Sequence, residues 1–267
     1  MKLSFAISLS PTKFSAISSA NWKKSLPFMK KLGFDGVELA IKDPLTVDIA
    51  DLQLNLQKND LKLVAIGTGQ AYVDEGLSFS DLDPGIRKKA LLRMKKQVDL
   101  AAQFKCYVII GLVRGTLAGT AAERKRQISS LAGQLQDLSA YAKSKKVKLL
   151  IEPLNRYETN IMNTAAETAG FIDRHRLDNC YLLLDTFHMN IEEKDLLKTL
   201  TLFSSRIGHI HIADSNRLYP GAGHINFKQI IKELKKIGYK GYLSGEYQPL
   251  PDAPTAMKKY IHYMRGV

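Results

Sequence analysis

A single closed (β/α)8 barrel, the TIM-barrel architecture of the α/β class, is the fold this 267-residue sequence predicts. Three observations lead there. Eight short apolar runs, many of them β-branched, alternate with amphipathic stretches of helical periodicity. The mean strand-plus-helix repeat is about 33 residues, which suits parallel strands joined by right-handed helical crossovers. No low-complexity linker or shift of composition interrupts the series, so residues 1–267 read as one domain; α/β barrels commonly reach ~250 residues as a single unit.

The first predicted strand is 2–8. Its surroundings (a positive residue, a short apolar stretch, small residues) loosely follow the grammar of a secretion signal, but serines interrupt the stretch. It is therefore read as a strand, and a cytoplasmic protein is expected. Helix 20–31 follows, and its lysine-rich end and glycine turn into strand 35–40 in KKLGFDGVEL. Helix 47–58 leads to strand 61–67, helix 85–104 to strand 106–111, and helix 120–145 to strand 147–152. Helix 163–175 precedes strand 181–185, and helix 192–202 precedes strand 207–212. Helix 226–236 runs through LKKIGYKGYLSGE into strand 241–246, and helix 254–265 closes the chain. A doubly wound open sheet is the alternative. It is disfavoured because no glycine-rich dinucleotide or P-loop fingerprint follows any strand.

Composition narrows the class. With 45% hydrophobic and 24% charged residues the chain can build a full core. Its longest clean apolar run, Val108–Val113, contains Gly111 and is far short of the ~20 residues of a membrane-spanning helix, so no membrane partner is expected. Cys106 and Cys180 lie in strand-like runs and read as ordinary buried thiols. The net charge of +13 permits an anionic partner. Its lysines and arginines cluster at 23–24, 30–31, 87–89, 93, 95–96, 124–126, 143–148 and 232–236, most of them within amphipathic helices, and read as solvated outer faces. No nucleic-acid partner is expected.

The reactive end of such a barrel is the mouth where strands finish. The last four strands finish on Glu152, Asp185, His211 and Glu246, spaced 33, 26 and 35 residues apart. Taken singly, each is explained by a helix cap or a solvated loop. Together, three carboxylates at one rim cannot all stay ionised without a compensating cation. An oxygen-rich set with one histidine and no thiolate favours Mn2+, with Mg2+ or Co2+ as alternatives, over a structural zinc site.

The segments IEPLNRYETN, LLLDTFHMN, GHIHIADSNRLYPGAGHINF and GYLSGEY closely resemble those of the xylose-isomerase-like sugar isomerases and epimerases. The resemblance is closest to ketose 3-epimerases of the D-tagatose/D-psicose 3-epimerase type. It implies a carbohydrate-acting isomerase with one catalytic divalent metal on Glu152, Asp185, His211 and Glu246, and substrate contacts from Glu158, His188 and Arg217. The first-half loops match less well and leave the sugar open.

The chemistry asks for these residue types. Removing a proton next to a ketone creates an enediolate, whose charge a Lewis-acidic ion stabilises. Inverting a carbon requires proton removal on one face and delivery on the other. Glu152 and Glu246 come from well-separated strands and are the expected acid/base pair for inversion at carbon 3. A ketose is the expected substrate, and a homo-oligomer, dimer or tetramer, is expected. A sugar-phosphate isomerase or epimerase is the alternative, with Asn216, Arg217 and the PGAGH segment 220–224 as its phosphate loop. An inosose-type dehydratase is weaker. An AP endonuclease is weakest, since Gly67 and Gly111 stand where early-strand metal ligands would be needed. Among the early strands, Glu38 is read as a hydrogen-bond partner behind the site or as a helix cap. Gly67, Gly69 and Gly111 are read as points of backbone turning or close approach. Phe5, Phe14, Tyr157 and Tyr247 are read as packing or pocket aromatics.

Overall fold

The computed structural model describes residues 1–13 and 21–267. Eight parallel strands close into a barrel in sequence order: β1 Lys2–Ser8, β2 Gly36–Ala40, β3 Lys62–Gly67, β4 Tyr107–Ile110, β5 Leu149–Ile151, β6 Cys180–Asp185, β7 Ile207–Ile212 and β8 Tyr242–Gly245. β1 pairs with both β2 and β8, which completes the ring. All eight strands fall where the apolar runs predict them, within about two residues at each end.

Ten α-helices surround the barrel: α1 Trp22–Leu32, α2 Ile49–Lys58, α3 Gly69–Val73, α4 Pro84–Phe104, α5 Ala121–Ser144, α6 Ala165–Arg174, α7 Thr186–Glu192, α8 Leu196–Leu202, α9 Phe227–Lys236 and α10 Ala253–Arg265, among the described residues. Their starts follow local chemistry. Asp83 caps α4 with Pro84 in the first turn, and Thr120/Glu123 and Thr164/Glu167 form reciprocal capping boxes on α5 and α6. Asn21 caps α1, so the helix expected at 20–31 begins at Trp22; residue 20 lies outside the described residues. Three helices differ from the sequence reading. α3 and α7 were not anticipated, being only five and seven residues long, and the helix expected over 192–202 is α8, which begins only at Leu196. Asp185 accepts from Phe187 N and starts α7 directly off β6, while Asp195 caps α8 separately.

Alternation along the strands divides the core into two layers. Phe5, Ile7, Val37, Leu39, Val108, Ile110, Leu149, Ile151, Leu182 and Leu184 face the helices. Ala65, Ile109, Leu150 and Leu183 form a separate apolar layer within the ring. Ala6 and Ala40 form a second, smaller apolar pair, and Glu38, His209 and His211 are buried polar residues. The β6–β7 register shifts at Leu182/Leu183, so that Leu183 pairs with His209 and Asp185 with His211. The irregularity sets both histidines on the inner face. Cys106 and Cys180 are buried free thiols. The lysine clusters at 23–24, 30–31 and 235–236 are exposed, as the helical pattern requires. Among the described residues no helix is long and apolar enough to cross a membrane.

Candidate metal centre and active site

Four consecutive strands deliver four ligand-type side chains to one point. Glu152 follows β5 by one residue, Asp185 ends β6, His211 is the penultimate residue of β7, and Glu246 follows β8 by one residue. All four are buried, and their ligand atoms lie within 4.8 Å of one another. His211 Nδ1 sits at the centre, 3.3 Å from Glu246 Oε2, 3.5 Å from Glu152 Oε1 and 3.8 Å from Asp185 Oδ2. Neither His211 Nδ1 nor Glu152 Oε1 has a hydrogen-bond partner. Buried polar atoms are seldom left so, and two orphans pointing at a shared space fit a bound cation. Asp185 serves twice, since one oxygen caps α7 at 2.7 Å from Phe187 N while the other faces the cluster.

Electrostatics say the same. Burial, reinforced by the Glu246 and Asp185 carboxylates, pushes Glu152 up to about 8 despite His211. Burial raises Asp185 to about 6, with Glu246 adding to it. Without a cation, such a cluster must hold protons to stay buried. The donor set is three carboxylates and one imidazole, suited to a hard or borderline divalent ion.

The opposite face of His211 is fixed from across the barrel. Its Nε2 lies 3.1 and 3.0 Å from the two oxygens of Glu38 on β2, and His209 Nε2 lies 3.1 Å from Glu38 Oε2. Burial opposes the Glu38 charge, but His211 and His209 overcome it and hold its carboxyl at about 2. An ionised Glu38 accepts the Nε2–H of His211 and leaves Nδ1 facing the cluster, an arrangement of the kind that orients metal-binding histidines. The hydrogen-bonding role expected for Glu38 is the one observed, and it is not a helix cap. His209 was missed by the sequence reading. Its signal was the period-two spacing of GHIHI, which puts both histidines on one strand face.

Beside the cluster opens a cleft enclosing about 450 Å³, counting its open mouth, which Glu152, Glu246, Glu158, His188 and Arg217 all help to line. Arg217 Nη1 donates to Glu158 Oε1 at 2.6 Å, and its guanidinium lies 4.9 Å above the Phe187 ring. Asn155 Nδ2 sits 2.8 Å from His188 Nδ1 and donates to Glu158 Oε1 at 3.3 Å. The Asn155 backbone N–H also donates to His188 Nδ1. Nδ1 is thus an acceptor, and the proton of the neutral ring resides on Nε2, which is buried and has no partner. Burial, with Arg217 and other cations nearby, drives the His188 pKa well below its ordinary value and keeps the ring neutral. Glu158, His188 and Arg217 therefore meet at one wall. Asn155, which joins two of them, gave no signal beyond its place in PLNRYE.

Two further features shape the mouth. Arg114, in the short 3-10 turn Leu112–Arg114 after β4, is fully buried and donates to the carbonyls of Glu152 and Met162. In a chain with 39 basic residues nothing in its sequence context distinguished it. A Cβ on Gly111 would stand 2.9 Å from Glu152 Oε2, so this glycine permits the close approach of that carboxylate. Gly67 and Gly69 carry no comparable crowding.

The loop considered for phosphate is otherwise engaged. Asp214 is fully buried and accepts from Ser215 N at 2.7 Å, Gly221 N at 2.8 Å and Ile225 N at 3.1 Å. The amides of segment 220–225 thus wrap their own carboxylate, and a Cβ on Gly223 would fall 2.4 Å from Asp214 Oδ1. Phe5 and Tyr247 pack edge-to-face in the core, with ring centroids 5.2 Å apart. Tyr157 is 82% exposed. Phe14 lies outside the described residues.

Comparison with known proteins agrees with this geometry. A family model described as a xylose isomerase-like TIM barrel matches residues 26–266. An L-ribulose 3-epimerase of Methylomonas sp. (strain DH-1) is 33% identical over 236 residues, 86% of this chain and 79% of that protein. A D-psicose 3-epimerase of Ruminiclostridium cellulolyticum is 31% identical over 240 residues, 83% of this chain and 76% of that one. The crystal structure of a D-allulose 3-epimerase from Methylomonas sp. in complex with D-allulose superposes with a TM-score of 0.82 at 27% identity, covering 99% of this chain and 97% of that one.

Proposed function

The chain belongs to the xylose isomerase-like TIM-barrel family, and from that premise we propose that it is a divalent-metal-dependent ketose 3-epimerase acting on free ketoses, with residues 1–267 as one catalytic barrel domain. The observation that carries the reading is the convergence of Glu152, Asp185, His211 and Glu246 on one buried point, with Nδ1 of His211 and Oε1 of Glu152 unpartnered there. These four residues would hold the ion, Mn2+ by preference for the donor set or Mg2+ or Co2+ in its place. When bound, the cation supplies positive charge beside the ketone and hydroxyl oxygens, acidifying the adjacent C–H and neutralising the carboxylates.

Glu152 and Glu246 enter from β5 and β8 and act as the acid/base pair. One carboxylate takes the proton from carbon 3. The C–H electron pair moves into a C2–C3 double bond, and the ketone oxygen becomes the enediolate oxygen. The other glutamate, in its acid form, gives a proton to the opposite face of carbon 3, and the carbonyl re-forms with inverted configuration. In the reverse direction the two exchange roles. His188 offers its Nε2–H to a substrate oxygen, and a neutral donor there does not protonate the intermediate. Arg217, held by Glu158 and by the face of Phe187, adds a fixed positive charge beside the developing oxyanion. Asn155 keeps His188 and Glu158 in register.

The phosphorylated-substrate reading has less support, because Asp214 already occupies the loop amides that would bind phosphate. The test is a panel of ketoses with and without phosphate, followed by deuterium incorporation at carbon 3 in heavy water. Turnover of a free ketose with exchange at carbon 3 is expected. Glu152→Gln and Glu246→Gln should each abolish it with the barrel still folded, and chelation should inactivate reversibly. Near wild-type turnover by either variant would refute the assigned roles.

A further inference from the structure

Gln70, the second residue of α3, lines the same cleft as Glu152, Glu158, His188, Arg217 and Glu246, and its side chain is buried. Its Nε2 donates to Ser8 Oγ at 2.9 Å, whereas its Oε1 has no hydrogen-bond partner. The orientation of the amide follows from Ser8. That hydroxyl donates its only hydrogen to Ser10 O at 2.5 Å and accepts from Ser10 N at 3.3 Å. With its hydrogen committed, Ser8 Oγ can only accept from Gln70. Turning the amide round would set two acceptors against each other, so Nε2 must face Ser8 and Oε1 must be the unpaired atom.

We propose that Gln70 Oε1 is a hydroxyl-accepting subsite, fixed by Ser8, that binds a free hydroxyl of the ketose and excludes a phosphate there. The inference rests on the epimerase reading and narrows its substrate class. A buried amide oxygen without a donor is costly, and a substrate O–H supplies the missing hydrogen. A phosphate dianion has no hydrogen to give and would meet the oxygen acceptor to acceptor. The one cationic side chain lining the cleft among the described residues is Arg217, which is engaged with Glu158. Sites built to hydrogen-bond a substrate hydroxyl discriminate strongly against analogues that lack it.

The test pairs one side chain with one hydroxyl. Wild type and Gln70→Met, a change that keeps the volume and leaves Ser8 bonded to Ser10, are assayed as metal-loaded enzymes. The substrates are D-allulose, its 4-, 5- and 6-deoxy analogues, D-fructose and D-fructose 6-phosphate. In the wild type one deoxy analogue should lose about tenfold or more in kcat/KM, and the phosphate ester should fall at least as far below its free sugar. Gln70→Met should lose a similar factor on D-allulose, mainly through KM, and show no additional loss on that one analogue. Losses from residue and hydroxyl that multiply independently, or equal turnover of the phosphate ester, would overturn the subsite. If Gln70→Met fails to fold, the wild-type series still overturns the subsite when no deoxy analogue loses turnover. Failure to turn over any free ketose would instead refute the epimerase reading.

Discussion

Replacing Glu38 by Gln tests whether the carboxylate on β2 governs the metal centre from across the barrel. Glu38 faces two imidazoles at 3.0 to 3.1 Å and is itself fully buried. The fall of its pKa from 4.5 to about 2 corresponds to about 3 kcal/mol in favour of the charged form, after the burial penalty has been overcome. A glutamine keeps the shape but has one acceptor oxygen for two N–H donors, and its NH2 group turns a donor toward one of them. His211 then loses the charge that fixes its tautomer and its orientation. Loss of such an outer partner weakens metal binding by roughly 10- to 100-fold, or about 1.4 to 2.7 kcal/mol. Calorimetric titration of the chelator-treated protein with Mn2+ reads this directly, and a parallel melting curve separates it from general unfolding. An Mn2+ dissociation constant within twofold of wild type, in a folded Glu38→Gln protein, would refute the reasoning.

Gly111→Ala puts a methyl group 2.9 Å from Glu152 Oε2, and if Glu152 is the proposed acid/base, its displacement by about 1 Å should lower kcat about 100-fold with little change in melting temperature. In the metal-free protein Glu152 and Asp185 lie above their ordinary values of 4.5 and 3.8, at about 8 and about 6. Stability present below those ordinary values is therefore lost as pH rises through 6 and then 8. Divalent ions bind the deprotonated groups, so Mn2+ affinity should climb over the same interval with release of protons, measurable by calorimetry in buffers of different ionisation enthalpy. Arg114→Met removes the buried guanidinium from the carbonyls of Glu152 and Met162, and urea unfolding should show a loss of about 1–3 kcal/mol.

The parts of the site that were legible in the sequence share a physical origin. A closed parallel barrel must bring strand ends to one rim, so ionisable residues ending four late strands had to meet there. That logic needed no knowledge of side-chain paths. It also left Asp185 with two competing explanations, cap and ligand; one carboxylate oxygen caps α7 and the other faces the cluster. What stayed hidden depends on burial and on long-range packing. Arg114 resembles every other basic loop residue until its surroundings close over it, and Gln70 gains meaning only from Ser8, 62 positions earlier. α3 and α7 are too short to show a hydrophobic period, and in α7 the capping aspartate is also the last residue of a strand.

The link between Glu38 and His211 spans 173 positions of sequence. Every candidate ligand lies beyond residue 148, so a fragment holding only the last four strands would inherit all the donors. It would lack the acid that decides which imidazole nitrogen carries the proton. Modular growth by duplicating or exchanging half-barrels would thus yield a ligand set of the right composition with an undirected histidine. Competence arrives only once the amino-terminal half has closed against the carboxy-terminal one.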